Sequence, residues 1–584
     1  MNSLIIRRVF FRLLPAQILL IAIGSLNSVV DGTVAGQLLG PYALVATGLF
    51  APVIKITETI NAVMLGGSSI LCGKLLGKNQ TERTRSVFSL DMLLVLAVSL
   101  VLCILCLTAP AGVAGLLGAQ GDMTGPLSDY MRGYAPGFVS TMVSTQLCVF
   151  LQLEQQEKRI YAGIGVMVAS NVLLDFLFVG VLDMAMFGLG LATSISTWAF
   201  LAVQLTWYLS GRSILRLNLK KPDLKDLKEI LLVGMPGAVT VLCLTIRFFA
   251  LNYLILQHVG EIGMSAFSAI NAFGGLFYAT TAGVASATRL LASVYIGEED
   301  RGGLLMIMKT AVRSGLLLVA GAALMFILLA GVWTGIFFPN PAGEVYQLAL
   351  WGFRLFPVSM PMSAFCVIFV NYYQCRNKMG IVNTLSILDG AAGTILTALV
   401  LLPLMGGMGI WAVQLLNGVY TTLAVIVYAA FVCRRIPRSF AELITLPDDF
   451  GSAADCRMDI MIRSVEEAVN TSQEVTAFCR KHNIKGKRAL YAGLCVEEMA
   501  CNIVQHGFDR HSSHSVDIRL VYKQDEDLLI RLKDDCRAFN PKEREELFDP
   551  ADITHNIGIR MVSRIAKSMT YQNMLGLNVL TIRL

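Results

Sequence analysis

The sequence predicts an all-α polytopic membrane domain of about twelve helices, followed by a smaller α/β domain at its C-terminal end. Composition is the first observation behind this prediction: the 584 residues are 55% hydrophobic, with a mean hydropathy of +0.64, and only 15% are charged. Soluble domains carry about 25% charged residues. Distribution is the second observation, because polar residues lie in short loops and after about Arg434. Most of the chain is therefore expected in lipid, and the tail in water.

The predicted membrane helices are runs of roughly 20 apolar residues, the length that crosses a bilayer. The loops between them alternate in charge. One set is basic and includes 74–85 and 212–228, whereas the other set, including 32–42 and 112–130, has no Lys or Arg. Basic loops stay in the cytoplasm. The sequence therefore predicts a multi-pass protein of the cell membrane with both termini cytoplasmic.

The charge and the cysteines exclude other classes of protein. The net charge of +6 comes from basic residues in these short loops, so no nucleic-acid partner is expected. The 13 cysteines show neither zinc-ligand spacing nor a secreted disulfide framework.

An internal repeat divides the membrane domain into two halves of six spans each, about 1–215 and 229–438. Glycines that end or begin equivalent spans recur at nearly one offset, and a parallel repeat of this kind is common in secondary transporters, with the substrate cavity between the halves. The glycine pairs are Gly40 with Gly260, Gly77 with Gly297, and Gly188 with Gly407, at offsets of 220, 220 and 219 residues.

Ionisable residues inside the spans are candidates for transport and ion coupling, because burying them in lipid is costly. Asp31 is expected either to bind sodium or a proton, or to cap a helix end. Lys55 and Glu58 are three residues apart, so they share a helix face and either pair or line the cavity. Asp175 is a proton-relay or packing residue. Arg247 either attracts an anionic or zwitterionic substrate or pairs with an acidic neighbour.

Two stretches of the membrane domain resemble a known family. The stretch VVDGTVAGQLLGPYALVATGLFAPV resembles the first two helices of the multidrug and toxic compound extrusion (MATE) family, and NVLLDFLFVGVLDMAMFGLGLATSIS resembles its fifth-to-sixth helix signature. The resemblance covers roughly 5–435. It implies a cation-coupled antiporter, using protons or sodium, that exports small organic or drug-like compounds through the lipid membrane. Relatives that move lipid-linked sugars or polysaccharide leave a lipid or polysaccharide exporter as an alternative.

The second half departs from the pattern of this family. Where relatives often carry acidic cation ligands in helices seven and eight, this chain has Asn252, Tyr253, Asn271 and Tyr278. The coupling hypothesis therefore rests on Asp31, Glu58 and Asp175.

Beyond a connector at 439–455, residues 456–584 form the tail, in which helical and alternating strand patterns predict an α/β fold with antiparallel strands. In the predicted helix KRALYAGLCVEEMACNIVQHG, Glu498 and Asn502 are four residues apart and share one face. A carboxylate acts as a general base, and an amide oxygen is a ligand for magnesium. Asp534 lies at a turn after a strand, and Gly558 precedes a helix whose N-terminus favours phosphate.

These motifs together resemble the GHKL ATPase family, most closely the anti-sigma-factor serine kinases. The resemblance implies that Asn502 binds Mg²⁺, Glu498 is the base, Asp534 binds the adenine of ATP and Gly558 shapes the phosphate lid. Thr581, in the closing N-x-L-T-I strand, is also predicted to bind the cofactor. Cys536 and Asn556 depart from the pattern, because they stand where glycines are usual.

Two functions follow from this organisation. In the first, an antiporter carries a cytoplasmic ATP-binding domain that regulates or reports transport. In the second, the protein is a membrane-anchored serine kinase or anti-sigma-like switch, with the membrane domain as sensor. ATPase or serine kinase activity of the tail, a cytoplasmic protein partner and a homodimer all stay open. Direct ATP-driven pumping is disfavoured, because the chain carries no Walker A motif.

Overall fold

The structure is a computed structural model, and it describes residues 3–217, 224–452, 454–484, 486–508, 514–522, 527–541 and 557–584. Within these residues, long helices occupy the first three quarters of the chain, and a five-stranded sheet with three helices follows them. The predicted fold class, a helical membrane domain followed by an α/β tail, is therefore confirmed.

Seven helices form the first half of the membrane domain. A π-helical turn, Phe176–Val181, directly follows the sixth helix. The helices are α1 (Ser3–Val34), α2 (Pro41–Gly77), α3 (Thr81–Thr108), α4 (Pro110–Leu116), α5 (Thr124–Leu153), α6 (Glu157–Asp175) and α7 (Ala185–Leu209).

Eleven helices form the second half, and a π-helical turn, Leu388–Ala392, lies between its ninth and tenth helices. They are α8 (Leu224–His258), α9 (Gly260–Ala272), α10 (Gly274–Gly297), α11 (Arg301–Thr310), α12 (Leu316–Leu328), α13 (Ala330–Phe337), α14 (Glu344–Leu355), α15 (Met360–Cys375), α16 (Met379–Ile387), α17 (Gly393–Met405) and α18 (Gly407–Cys433); the connector adds α19 (Phe440–Leu443).

Ten helices of the described residues are long and apolar enough to cross a membrane, and α9 with α10 adds an eleventh if that bent pair is one span. Helix α1, 32 residues long, packs along α10. Helix α1 is not among these candidates, so the described residues give ten or eleven of the twelve spans that the sequence predicts.

The two halves meet through glycines at equivalent positions near the ends of α2 and α10. A Cβ atom on Gly77 would lie 2.2 Å from the carbonyl oxygen of Val294, and one on Gly297 would lie 2.1 Å from that of Lys74. These reciprocal contacts are closer than any side chain allows, so only glycine lets the two backbones approach. The halves are therefore closed against each other at this end.

Exposure of side chains on α2 and α10 rises farther from this contact. Lys55 and Gly66 are eleven residues apart on one stripe of α2, and burial rises along the stripe from exposed Lys55 to buried Gly66. On α10, Tyr278 is exposed, whereas Ser293, on the same stripe, is buried against Gly73 of α2. The space between these two stripes is called the cleft below.

The tail is an antiparallel sheet in the strand order β1-β2-β3-β5-β4, with three helices on one face. Its core consists of the sheet residues on that face, such as Ile518, Leu532 and Ile582, and of apolar residues of the helices. The elements are β1 (Arg457–Ile462), α20 (Val465–Lys481), α21 (Gly486–Gly507), β2 (Val516–Val521), β3 (Leu529–Asp534), α22 (Ile557–Ile565), β4 (Ser568–Met574) and β5 (Leu577–Arg583).

The opposite face of the sheet packs on the membrane domain and is called the docking face below. Leu577 and Val579 of β5 belong to the apolar cluster of the membrane domain, whereas their neighbours Leu580 and Ile582 belong to the tail core. Successive side chains of a strand point to opposite faces. The alternation in β5 therefore serves two hydrophobic cores at once.

Candidate functional sites

An acidic pair lies inside the first half, where α1 comes close to the end of α6. The carboxyl groups of Asp31 and Asp175 are neighbours, and the Thr193 hydroxyl donates to Asp31 Oδ2 at 3.3 Å. Asp175 is fully buried and immediately precedes the π-helical turn, a distortion that often marks functional sites. Two buried carboxylates this close are stable together when they share a proton or hold a cation.

Lys55 and Glu58 pair with each other on α2. Lys55 Nζ lies 2.7 Å from Glu58 Oε2, and both side chains are about half exposed. Lys55 lies on the stripe of α2 that continues to Gly66. The structure therefore shows the ion pair, and a role of the pair in lining the substrate cavity stays a prediction.

Arg247 meets an acidic residue that the sequence analysis missed. Its Nη1 donates to the backbone carbonyl of Asp389 at 3.3 Å, and Asn417 Nδ2 donates to Asp389 Oδ1 at 2.8 Å. Asp389 lies in the π-helical turn Leu388–Ala392. The signal in the sequence is an aspartate inside an apolar span, outside the seventh and eighth spans where the family resemblance implies acidic ligands.

Asp91 is a further buried acid that the sequence analysis did not single out. It lies in α3, is fully buried, and has Ser68 of α2 beside it. A carboxyl group in such a place is a functional candidate by default, although it is separate from the cleft.

In the tail, α21 presents the two residues predicted for ATP chemistry side by side. Glu498 and Asn502 are half-buried, and neither side chain makes a hydrogen bond or ion pair with the residues that the structure describes. The start of α22 lies against them, since a Cβ atom on Gly558 would lie 2.1 Å from Glu498 Oε2. The structure therefore brings Glu498, Asn502 and Gly558 together, with Asn502 free to hold a cation.

Asp534 ends β3 on the same face of the sheet as these helices. Its Oδ1 accepts hydrogen bonds from Asn578 Nδ2 at 2.7 Å and from the backbone N–H of Cys536 at 3.0 Å. Burial raises the pKa of Asp534, and these hydrogen bonds oppose the rise. The Tyr571 hydroxyl donates to Asn578 Oδ1 at 2.6 Å, so Asn578 and Tyr571 position the carboxylate. The sequence analysis placed Asn578 in a motif but gave it no role.

Thr581 is not brought to this site. It pairs with Thr570 of β4 and Arg531 of β3, and it shares the docking face with both of them, since its neighbours Leu580 and Ile582 point into the tail core. The strand register therefore places Thr581 on the opposite side of the sheet from Asp534. Asn556, predicted beside the phosphate lid, lies outside the described residues.

A cluster of possible metal ligands lies next to Asp534. His514, Asp535 and Cys536 have ligand atoms within 4.8 Å of one another. Asp535, however, already pairs with Arg8 of α1 and with His514 Nδ1 at 2.9 Å. Its negative charge is therefore compensated within the chain, and the cluster serves as a contact between tail and membrane domain.

Ion pairs join the docking face to the loop between α10 and α11. Arg519 Nη2 lies 2.7 Å from Asp300 Oδ1, Lys533 pairs with Glu298, and Arg531 Nη1 lies 3.8 Å from the same glutamate. The side chains of Glu298 and Asp300 are only 2% and 3% exposed. Buried pairs of this kind are costly to break, because one charge is left uncompensated.

The equivalent loop of the first half, between α2 and α3, binds the same face of the sheet. Gln572 Nε2 donates to the Thr81 hydroxyl at 2.8 Å, and Asn79 donates to the Thr570 hydroxyl. The β4–β5 turn also reaches the α5–α6 junction, where the Leu575 N–H donates to the carbonyl of Leu153 at 2.9 Å. The tail thus contacts homologous loops of both halves at the end where the halves are closed.

The ion pair at Asp300 predicts how docking depends on pH. Burial alone would raise the pKa of Asp300, but the charges of Arg519 and Lys533 outweigh it and hold the pKa below 3.8. Because the pKa of Asp300 is lowered, its charge stabilises the docked state at pH values above 3.8. This stabilisation is lost as the pH falls through the lowered pKa. Asp300→Asn keeps the cap that the side chain gives to Gly303 N. We expect this variant to unfold its tail at a lower temperature than wild type at pH 5 to 7.

Calorimetry of the full chain in nanodiscs measures this difference. The unfolding temperatures of the two chains should converge as pH falls below 3.8. A gap that stays constant down to that pH would contradict an ionic contribution from Asp300.

Comparison with known proteins follows the same division of the chain. The family model described as MatE matches residues 18–177, and the one described as histidine kinase-like ATPase domain matches residues 463–584. The chain joins a MATE-type domain to a histidine kinase-like ATPase domain. Both family resemblances predicted from the sequence are thereby confirmed. No curated protein matches the chain at a significant level.

Solved structures share the fold of the MATE-type domain. One is the outward-facing conformation of a multidrug resistance MATE family transporter of the MOP superfamily, with a TM-score of 0.67 at 21% identity; the match covers 72% of this chain and 94% of that one. Another, from Pyrococcus furiosus, is a MOP superfamily transporter described as having a binding pocket of reverse polarity, with a TM-score of 0.65 at 20% identity, covering 73% and 96%. At these identities the likeness shows the fold.

Proposed function

We propose that this chain is an ion-coupled antiporter that exports small organic compounds, and that its ATPase-type tail regulates the transport. The observation that carries the proposal is the docking of one ATPase-type domain on equivalent loops of the membrane domain, one after α2 and one after α10. The basic loops at the tail side support a cytoplasmic tail, where ATP and Mg²⁺ are present.

The acidic pair supports ion coupling in the first half. Asp31 and Asp175 together bind one proton or one sodium ion more readily than either carboxylate alone would, because a bound cation removes their mutual repulsion. Lys55 and Glu58 line the path between this pair and the second half. We assign Asp31 and Asp175 to the coupling ion and the cleft to the cargo.

The docking face supports regulation of transport. Alternating access in such folds is largely a rocking of one half against the other around a central site. A domain bound to the ends of both α2 and α10 restrains that rocking, because opening at this end separates the loops that it binds. We therefore assign the docked tail to the state in which the halves are closed at the tail end.

The nucleotide site is linked to the docking contacts by adjacent residues. Asp534, assigned to adenine, is followed by Asp535, which pairs with Arg8 of α1. Tyr571, which holds Asn578, follows Thr570, which binds Asn79. Glu498, Asn502 and Gly558 are assigned to the base, Mg²⁺ and phosphate. Ordering of this site by ATP would therefore act directly on the contacts with the first half.

Transport measured in liposomes tests the proposal. Asp31→Asn and Asp175→Asn should each abolish efflux of a dye that is driven by a proton or sodium gradient, because the amide cannot hold the coupling ion. Asp129→Asn, which changes an exposed pair with Arg132, should transport normally. If wild type ignores both gradients and requires ATP alone, the proposed function is wrong.

A further inference from the structure

An arginine without a protein counter-ion lies in the cleft, on the second half. Arg289 of α10 lies on the same helical stripe as Tyr278 and Ser293, the stripe that faces α2. It is half-buried, and its guanidinium makes no hydrogen bond or ion pair with any residue that the structure describes. Arg289 is therefore a cation near the closed end of the cleft, and its guanidinium can bind a ligand.

Three other arginines of the membrane domain have partners within the chain. Arg83 lies 2.7 Å from Asp226, Arg301 lies 3.1 Å from Asp448, and Arg247 binds the carbonyl of Asp389. A charged group at membrane depth is costly unless it meets an opposite charge or a water-filled cavity. Arg289 meets the cavity, so a counter-ion for it has to come from the cleft.

The surroundings of Arg289 add donors and a second positive charge. The ionisable groups near it are Tyr278 and Cys375, and Arg247 and Asp389 lie near Tyr278 in turn. The carboxylate of Asp389 is held by Asn417 at 2.8 Å. Arg289, Arg247 and Asp389 all lie near the hydroxyl of Tyr278, whose side chain is 43% exposed.

We propose that the cleft binds an anionic group of the cargo, a carboxylate or a phosphate, at Arg289, with Tyr278 and Arg247 beside it. The planar guanidinium offers two parallel N–H donors, which match both groups. Cation binding belongs to the acidic pair of the first half, so the two halves hold opposite charges. The proposal rests on the proposed function in one respect, that the bound molecule is the cargo.

Binding of dyes to the purified full chain in nanodiscs of neutral lipid tests this proposal. We expect wild type to bind carboxyfluorescein, an anionic dye, more tightly than ethidium, a cationic one. Arg289→Gln should weaken carboxyfluorescein binding by roughly 10- to 100-fold, the effect of losing a charged hydrogen-bonding partner. Arg289→Lys should lose less carboxyfluorescein affinity, because lysine keeps the positive charge but does not offer two parallel N–H donors.

A matched control is Arg354→Gln, since Arg354 stacks on Trp351 and lies on α14. It should bind carboxyfluorescein like wild type. Monodisperse elution and unchanged ethidium binding show that each variant is folded. If folded Arg289→Gln binds carboxyfluorescein as tightly as wild type does, the proposal is wrong.

A second arm identifies the source of the anion. Phosphatidylglycerol in the nanodisc will displace carboxyfluorescein from wild type if the cargo is an anionic lipid, and will leave binding unchanged if it is a soluble anion. In both cases Arg289 binds the anion, and the two results differ only in where the anion comes from. These measurements use no ion gradient, so they stand even if gradient-driven transport fails, and the two proposals fail independently.

Discussion

Replacing both Arg519 and Lys533 with glutamate will release the tail from the membrane domain. The two changes put negative charges against Glu298 and Asp300, which are buried in the docked state. Breaking a buried pair costs about 3–5 kcal/mol, which corresponds to a shift of roughly 100-fold or more in the docking equilibrium. Hydrogen exchange followed by mass spectrometry should show faster exchange in the loops at 78–80 and 298–300.

The matched control is Lys567→Glu, because Lys567 is 62% exposed and pairs with exposed Asp527, and exposed pairs contribute little. Adding Glu298→Lys to the Lys533→Glu change should restore part of the docking. If the double charge reversal leaves exchange in both loops unchanged, the tail is not held by these pairs.

The same charge reversal tests regulation. In liposomes, ATP with Mg²⁺ should change the rate of gradient-driven efflux for wild type, and it should have no effect on the released variant. A nucleotide effect that persists after release would contradict regulation through the docking face. Phosphorylation of a partner by the released tail, with transport unaffected by nucleotide, would favour a kinase function instead.

Asp534→Asn will weaken ATP binding by roughly 5- to 100-fold. The amide oxygen of asparagine still accepts hydrogen bonds from Asn578 and Cys536, so the turn keeps its local geometry. The second carboxylate oxygen, which is assigned to the adenine amino group, becomes an NH₂ donor and faces another donor. An unsatisfied buried donor costs about 1–3 kcal/mol. Isothermal titration of the full chain with ATP and Mg²⁺ measures the change.

Thr581→Val is the matched control, because valine has the same shape and Thr581 lies on the docking face. We expect ATP affinity to be unchanged in this variant, although the sequence motif predicts a cofactor contact. Equal losses of ATP affinity in both variants would mean that residues on both faces of the sheet contribute to ATP binding. That result would contradict a site confined to the face that carries Asp534. Unchanged affinity in Asp534→Asn would remove this residue from the site.

Local pattern predicted most of the fold. Apolar runs identified the spans, and glycine offsets identified two halves, because bilayer thickness and close backbone contact constrain the sequence directly. The E-x-x-x-N spacing placed Glu498 and Asn502 on one helical face, as the structure has them. These features depend on neighbours within a few turns of a helix, so periodicity encodes them.

The sequence by itself determined the two domain types, most of the spans and the helical face that Glu498 and Asn502 share on α21. Tertiary structure alone decided that Arg519 meets Asp300, that Asp389 stands beside Arg247, that Arg289 is left unpaired in the cleft, and that Thr581 points away from Asp534. The physical reason is distance along the chain. Ion pairs join residues hundreds of positions apart, and the face of a strand depends on its register, which only the packed sheet fixes.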